Sequence, residues 1–106
     1  MSNRRSVLIV EDSREEIEIY KDLFRNKSYN LVTLFYRDYL TELPSEKFEL
    51  VIIDGLQGGW RDVSDRINAR RKVIISGKES TVHKARRLGL EGISKDDRTE
   101  FVEALE

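Results

Sequence analysis

The sequence has no cysteine. Disulfides, thiolate metal sites and cysteine nucleophiles are thereby excluded. No run is long and apolar enough for a membrane span, and no signal or transit segment precedes the first strand pattern. A cytoplasmic location is the resulting expectation. Neither sign of charge dominates. A formal net charge of −1 argues against direct nucleic-acid binding, which needs a strongly basic face. The basic residues Arg61, Arg66, Arg70, Arg71, Lys72, Lys84, Arg86 and Arg87 are read as solvated helix faces. The single histidine, His83, is read as a surface residue, and the single tryptophan, Trp60, as packing. Repeats and low-complexity stretches are also lacking.

What is present is the composition of one soluble globular domain spanning residues 1–106, with 39% hydrophobic and 37% charged residues. Short apolar runs alternate with helical spacing. Strands are predicted near Ser6–Val10, Asn30–Tyr36, Leu50–Asp54, Lys72–Ser76 and Gly92–Ser94. Between and after them, helices are predicted from Ser13, over Arg37–Leu43 (stopped by Pro44, the only proline), Arg61–Ala69, Ser80–Leu88 and Arg98–Leu105. Ser13 with Glu16 three residues on reads as a capping box, and Asp97 as the cap of the last helix. Ile17, Tyr20, Leu23 and Phe24 should face the sheet. So should Val63 with Ile67, Val82 with Ala85 and Leu88, and Phe101 with Leu105. Such alternation implies an α/β fold, a parallel sheet covered on both faces. The near-continuous apolar runs of strands one, three and four suit its centre, and the alternating second strand suits an edge.

In an open parallel sheet, ligands bind outside the carboxyl ends of the strands. Here those ends carry Glu11-Asp12, Asp54, Ser76-Gly77 and Lys95. A carboxylate such as Asp54, following three buried β-branched residues and preceding a glycine, can attack phosphorus. Alone it would repel an anionic donor, and a Mg²⁺ ion held by oxygen ligands resolves that repulsion. Glu11 and Asp12 supply the second acidic wall. Ser76 can donate to a phosphoryl oxygen, Gly77 leaves room for it, and Lys95 can neutralise it. Such chemistry is mostly positioning and charge neutralisation.

Four segments carry a resemblance to the receiver domains of two-component response regulators. These are Val7-Leu8-Ile9-Val10-Glu11-Asp12-Ser13, Phe48–Asp54, Val73-Ile74-Ile75-Ser76-Gly77 and Arg87–Lys95. The resemblance covers nearly the whole chain. It implies a flavodoxin-like doubly wound sheet of five parallel strands in the order 2-1-3-4-5. Asp54 would be the phosphoacceptor, and Glu11, Asp12, Asp54 and the backbone carbonyl of Leu56 would hold Mg²⁺. Ser76, Gly77 and Lys95 would contact the phosphoryl group, and Leu56 and Lys78 would tune its lifetime. A histidine kinase or phosphotransfer protein would be the donor.

The departures are specific. The interval from Asp54 to Ser76 is short for the family by roughly two helical turns, so the third helix should be cut down. The methionine-proline turn after the phosphoacceptor is replaced by Gly55-Leu56-Gln57-Gly58-Gly59. Asp96 stands where a proline usually follows the lysine, and Gly92 or Ile93 where the switch aromatic belongs. Two functions compete on these grounds: a phosphoacceptor receiver, and a receiver-like interaction module that is not phosphorylated. An aspartyl phosphatase would need an acid where Leu56 stands, and dinucleotide binding a glycine-rich turn where Glu11-Asp12 stand. The chain is therefore not expected to be an enzyme.

Overall fold

The computed structural model describes residues 5–105. Its elements in chain order are β1 (Arg5–Glu11), α1 (Arg14–Phe24), β2 (Tyr29–Phe35), β3 (Phe48–Asp54), α2 (Trp60–Arg66), β4 (Ala69–Ser76), α3 (Glu79–Arg87), β5 (Glu91–Ser94) and α4 (Arg98–Glu103). All five strands pair in parallel, in the order β2-β1-β3-β4-β5. This is the parallel α/β sheet that the alternation of elements implies, in the doubly wound order that the receiver-domain resemblance implies.

Strand alternation sends neighbouring side chains to opposite faces. Val7, Ile9, Leu50, Ile52, Val73 and Ile75 pack on one face with Tyr20 and Phe24 of α1 and Val102 of α4. Leu8, Val10, Val51, Ile53 and Ile74 pack on the other with Trp60 and Val63 of α2 and Ala85 of α3. Val7 through Val10 are all fully buried. Each such side chain contributes about 1.5–3 kcal/mol of burial, which explains why these strands read as unbroken apolar runs. Among the described residues no helix is long and apolar enough to cross a membrane.

The helix expected over 37–43 is absent. Side chains there capture the backbone groups a helix would use. Thr41 Oγ1 accepts the N–H groups of Arg37 and Asp38 at 3.1 and 3.2 Å, and Asp38 Oδ1 accepts that of Leu40 at 2.9 Å. Local bonds of this kind compete with helix formation. Tyr39 and Leu40 are left 70% and 72% exposed. Tyr36 instead turns inward, joining Trp60 and Val63 in the core against Gly59. With no helix crossing from β2 to β3, β2 is a half-buried edge strand without a charged residue from Tyr29 to Phe35.

Other boundaries move less. The helix between β3 and β4 is short as anticipated, but it ends at Arg66 rather than Ala69, because Ile67 is already extended and Ala69 opens β4. Leu88 lies just past the end of α3 and is 53% exposed, not buried as its spacing suggested. Asp97 occupies the cap position of α4, but its side chain accepts no capping bond. Ser94 does so one turn earlier, accepting the Asp96 N–H at 3.2 Å.

Candidate functional site

Register places the acidic ends together. Val10 is paired with Ile53 and Asp54 with Ile75, so Glu11 and Asp54 emerge side by side, with Ser76 one step beyond on β4. A cavity of about 240 Å³ opens there. It is lined by Asp12, Asp54, Leu56, Ser76, Gly77 and Lys78 of the expected set, and by Gln57 and Thr81, which the sequence reading did not single out. The Ser76 hydroxyl packs beside Gly55, where a Cβ would lie 3.1 Å from Oγ. It also accepts the Lys78 N–H at 3.0 Å. Lys95 reaches Asp54 from the flank, its ammonium 3.3 Å from Oδ2.

Glu11 lies behind the cavity and is almost fully buried. Its Oε1 accepts the N–H groups of Asp12 and Ser13 at 2.9 and 3.0 Å, while Oε2 has no hydrogen-bond partner. Burial, with Asp12 and Asp54 alongside, pushes its carboxyl up to about 9, and Lys95 offsets only part of this. An orphaned buried carboxyl oxygen beside a second carboxylate is the position a cation would satisfy. Among the described residues, however, no three acidic or imidazole side chains converge into a metal cage. The donor set is narrower: two neighbouring carboxylates with Asp12 at the mouth, which suits an ion that keeps several waters.

The Leu56 carbonyl, expected as a metal ligand, accepts the Gly59 N–H at 3.0 Å and closes a tight turn. Leu56, Gln57 and Gly58 all have positive φ, at 52°, 52° and 97°. For the two non-glycine residues this left-handed backbone costs roughly 1–2 kcal/mol each. The strained turn directly follows the candidate nucleophile.

Three further residues, outside the cavity lining, join the site. Tyr20, fully buried on α1, donates from its hydroxyl to Asp54 Oδ2 at 3.4 Å. Glu16 places Oε1 3.7 Å from Lys95 and Oε2 2.5 Å from the Arg98 guanidinium. Arg98 also lies 5.0 Å from the centre of the Tyr20 ring. Burial opposes ionising Glu16, but Arg98 and Lys95 outweigh it and hold its carboxyl below the usual range. Burial pushes the Tyr20 phenol up, and the charge of Asp54 adds to the effect. By sequence Glu16 is only half of a capping box. Ser13 does accept the Glu16 N–H at 3.4 Å, but Glu11, not Glu16, takes the Ser13 N–H, leaving the Glu16 carboxylate free for the two cations. The signal that was available is parity: Glu11, Asp54 and Lys95 share the face of Ile9, Ile52 and Ile93, the face that α1 and α4 cover.

A larger hollow of about 520 Å³ opens at the amino ends of the strands. Arg70 and Arg71 on its wall are taken by Glu49 and Glu91, so it assembles no reactive set. His83 is exposed and Trp60 buried, as read from the sequence.

No protein-family model matches the chain, and no curated protein matches it in sequence. Its fold is shared by solved response regulators. One, from Burkholderia pseudomallei, was solved with a phosphorylated aspartic acid, a calcium ion and citrate. It superimposes with a TM-score of 0.66 at 17% identity over 94% of this chain, which spans only 65% of that one. A response regulator from Thermotoga maritima gives 0.64 at 18% identity, covering 93% of this chain and 91% of its own. The chain therefore has the receiver-domain fold.

Proposed function

We propose that the chain is a phosphoacceptor receiver domain of a two-component or phosphorelay system, with Asp54 as the acceptor. The observation that carries this reading is Asp54 itself. It is a nearly buried carboxylate at the end of a central strand, paired with Lys95 and sharing a cavity with Asp12 and Ser76. An Asp54 oxygen attacks the phosphorus of a phosphohistidine donor. The new O–P bond forms as the P–N bond breaks, and its electron pair stays on the imidazole nitrogen; the donor's other ring nitrogen already carries a proton, so the ring leaves as neutral imidazole. Lys95 then meets the added charge on a phosphoryl oxygen, and the Ser76 hydroxyl donates to another. Glu11, Asp12 and Asp54 are the residues that would hold Mg²⁺, which supplies charge neutralisation between donor and acceptor when bound. Transfer to Asp54 is the whole of the chemistry assigned, so the domain is read as a signalling element and not as an enzyme. Its setting is read as cytoplasmic, and its donor as a histidine kinase or phosphotransfer protein. The added charge, roughly −1.5 to −2, would bias a protein-binding surface.

A second reading, an interaction module without phosphorylation, is favoured by one specific feature. A Cβ on Gly92 would lie 2.6 Å from the Val82 carbonyl oxygen. The approach of α3 over β5 leaves no room there for a switch aromatic. One experiment separates the two readings: incubation with Mg²⁺ and a small acyl phosphate or beryllofluoride, followed by intact mass and Trp60 fluorescence. The receiver reading expects a one-phosphoryl mass gain with the acyl phosphate and a fluorescence change with either reagent, all abolished in Asp54→Asn. An unmodified wild-type protein refutes it.

A further inference from the structure

Lys95 does not hold Asp54 alone. The Tyr20 hydroxyl lands on the same oxygen, Oδ2, from a ring with no solvent exposure. A buried phenol needs a partner, and Asp54 is the acceptor it finds. The ring is itself braced. Arg98 stacks over it and binds Glu16, and Glu16 faces Lys95, so that Asp54, Lys95, Glu16, Arg98 and Tyr20 close a loop of contacts. Two of these residues come from α1, Glu16 in its first turn and Tyr20 in its second, and Arg98 opens α4; none of these three lines the cavity.

A carboxylate on a short side chain rotates in a broad, two-fold well. A lysine ammonium is a point charge on a mobile stem and cannot fix the plane of that carboxylate. A second donor, carried by a ring locked in the core, can. We propose that Tyr20 is a positioning residue for the phosphoacceptor: its hydroxyl, braced by Arg98 and Glu16, fixes the orientation from which the Asp54 carboxylate reacts. This inference rests on the reading of Asp54 as the acceptor. It assigns to α1 a part in the chemistry, through residues whose helical spacing marks them only as core and cap. A purely packing role for Tyr20 would fill the same volume and place the same ring, but would not need the hydroxyl.

Tyr20→Phe removes that hydroxyl and keeps the ring. The test is phosphorylation of the full chain by a small acyl phosphate with saturating Mg²⁺, across donor concentrations. Positioning predicts that the maximal rate falls by roughly tenfold or more in Tyr20→Phe, while the half-saturating donor concentration stays within about twofold. Arg98→Gln, which loosens the brace but leaves the hydroxyl, should give a smaller loss. The signal of the Tyr20 ring carbon bearing the hydroxyl should also move in Asp54→Asn, a readout that needs no phosphorylation. A Tyr20→Phe protein that is folded by circular dichroism and phosphorylated at the wild-type rate overturns the proposal, as does a Tyr20 carbon signal indifferent to Asp54→Asn. If wild-type protein takes no phosphoryl group, the receiver reading itself has failed, and the positioning role falls with it.

Discussion

Glu11 makes the stability of the metal-free domain depend on pH in a direction opposite to that of most carboxylates. Its side chain is buried with Oε2 unpartnered, and its carboxyl is pushed up to about 9 from 4.5. Folding therefore favours the protonated form. The benefit is complete below pH 4.5, declines as pH rises, and is gone above about 9. Between those limits the slope is about 1.4 kcal/mol per pH unit, so the interval from about pH 5.5 to 8.5 is worth up to about 4 kcal/mol. That is a large share of a small domain's stability. The assay is urea unfolding in chelator at several pH values, for wild type and Glu11→Gln. The glutamine keeps an oxygen for the Asp12 and Ser13 N–H groups and has nothing to ionise. Wild type should lose stability across the interval while the variant stays nearly flat and becomes the more stable of the two at the alkaline end. Mg²⁺ should reverse the wild-type trend, because it favours the ionised carboxylate. Parallel pH curves for the two proteins in chelator would refute the reasoning.

Other outcomes follow from local geometry. Gly92→Ala should destabilise by about 1–3 kcal/mol in thermal or denaturant unfolding, because the clash is with the Val82 backbone. Gly77→Ala, with open space around the added methyl, should stay within about 0.5 kcal/mol of wild type. Gln57→Gly should stabilise by roughly 0.5–1 kcal/mol, since Gln57 is exposed and held at positive φ; an unchanged midpoint would show the turn to be unstrained. Glu16→Gln should weaken the domain chiefly at neutral pH. The carboxylate's low pKa contributes stability above its usual range and loses it as pH falls, so the two proteins should converge in acid melts.

The strands were legible because burial on both faces leaves them no polar residue to spend, from Val7 to Val10 and from Leu50 to Ile53. The strand-end acids, Ser76 and Lys95 were legible for the converse reason, as reactive types placed where apolar runs stop. The helix over 37–43 was misread because its pattern carried no weight against Asp38 and Thr41, whose side chains bond the local backbone instead. Leu88 fitted a helical stripe by spacing but fell one residue past the helix end. Tyr20, Glu16 and Arg98 were hidden for a different reason. Each satisfies an ordinary structural pattern, core position, capping box and helix start; parity points to the face they cover, and the tertiary contact between α1, α4 and β3 supplies the second role. The left-handed turn at Leu56–Gly58 had half a signal, the glycines, and a leucine that gave no warning of positive φ.

The uncharged edge strand β2 raises a question of solubility. A seven-residue stretch such as Tyr29–Phe35, rich in β-formers and open along one side, is a template for adding further strands from other copies. The segments on either side bear the guard. Arg25 and Lys27 precede it, and Arg37, Asp38, Glu42, Glu46 and Lys47 follow it in the connection that replaced the helix. Stacking identical strands in register would bring each of these charges against its own kind, at a spacing of about 4.8 Å between chains. The connection without a helix thus has a second use, as a gatekeeper that disfavours the addition of strands from other copies to the open edge.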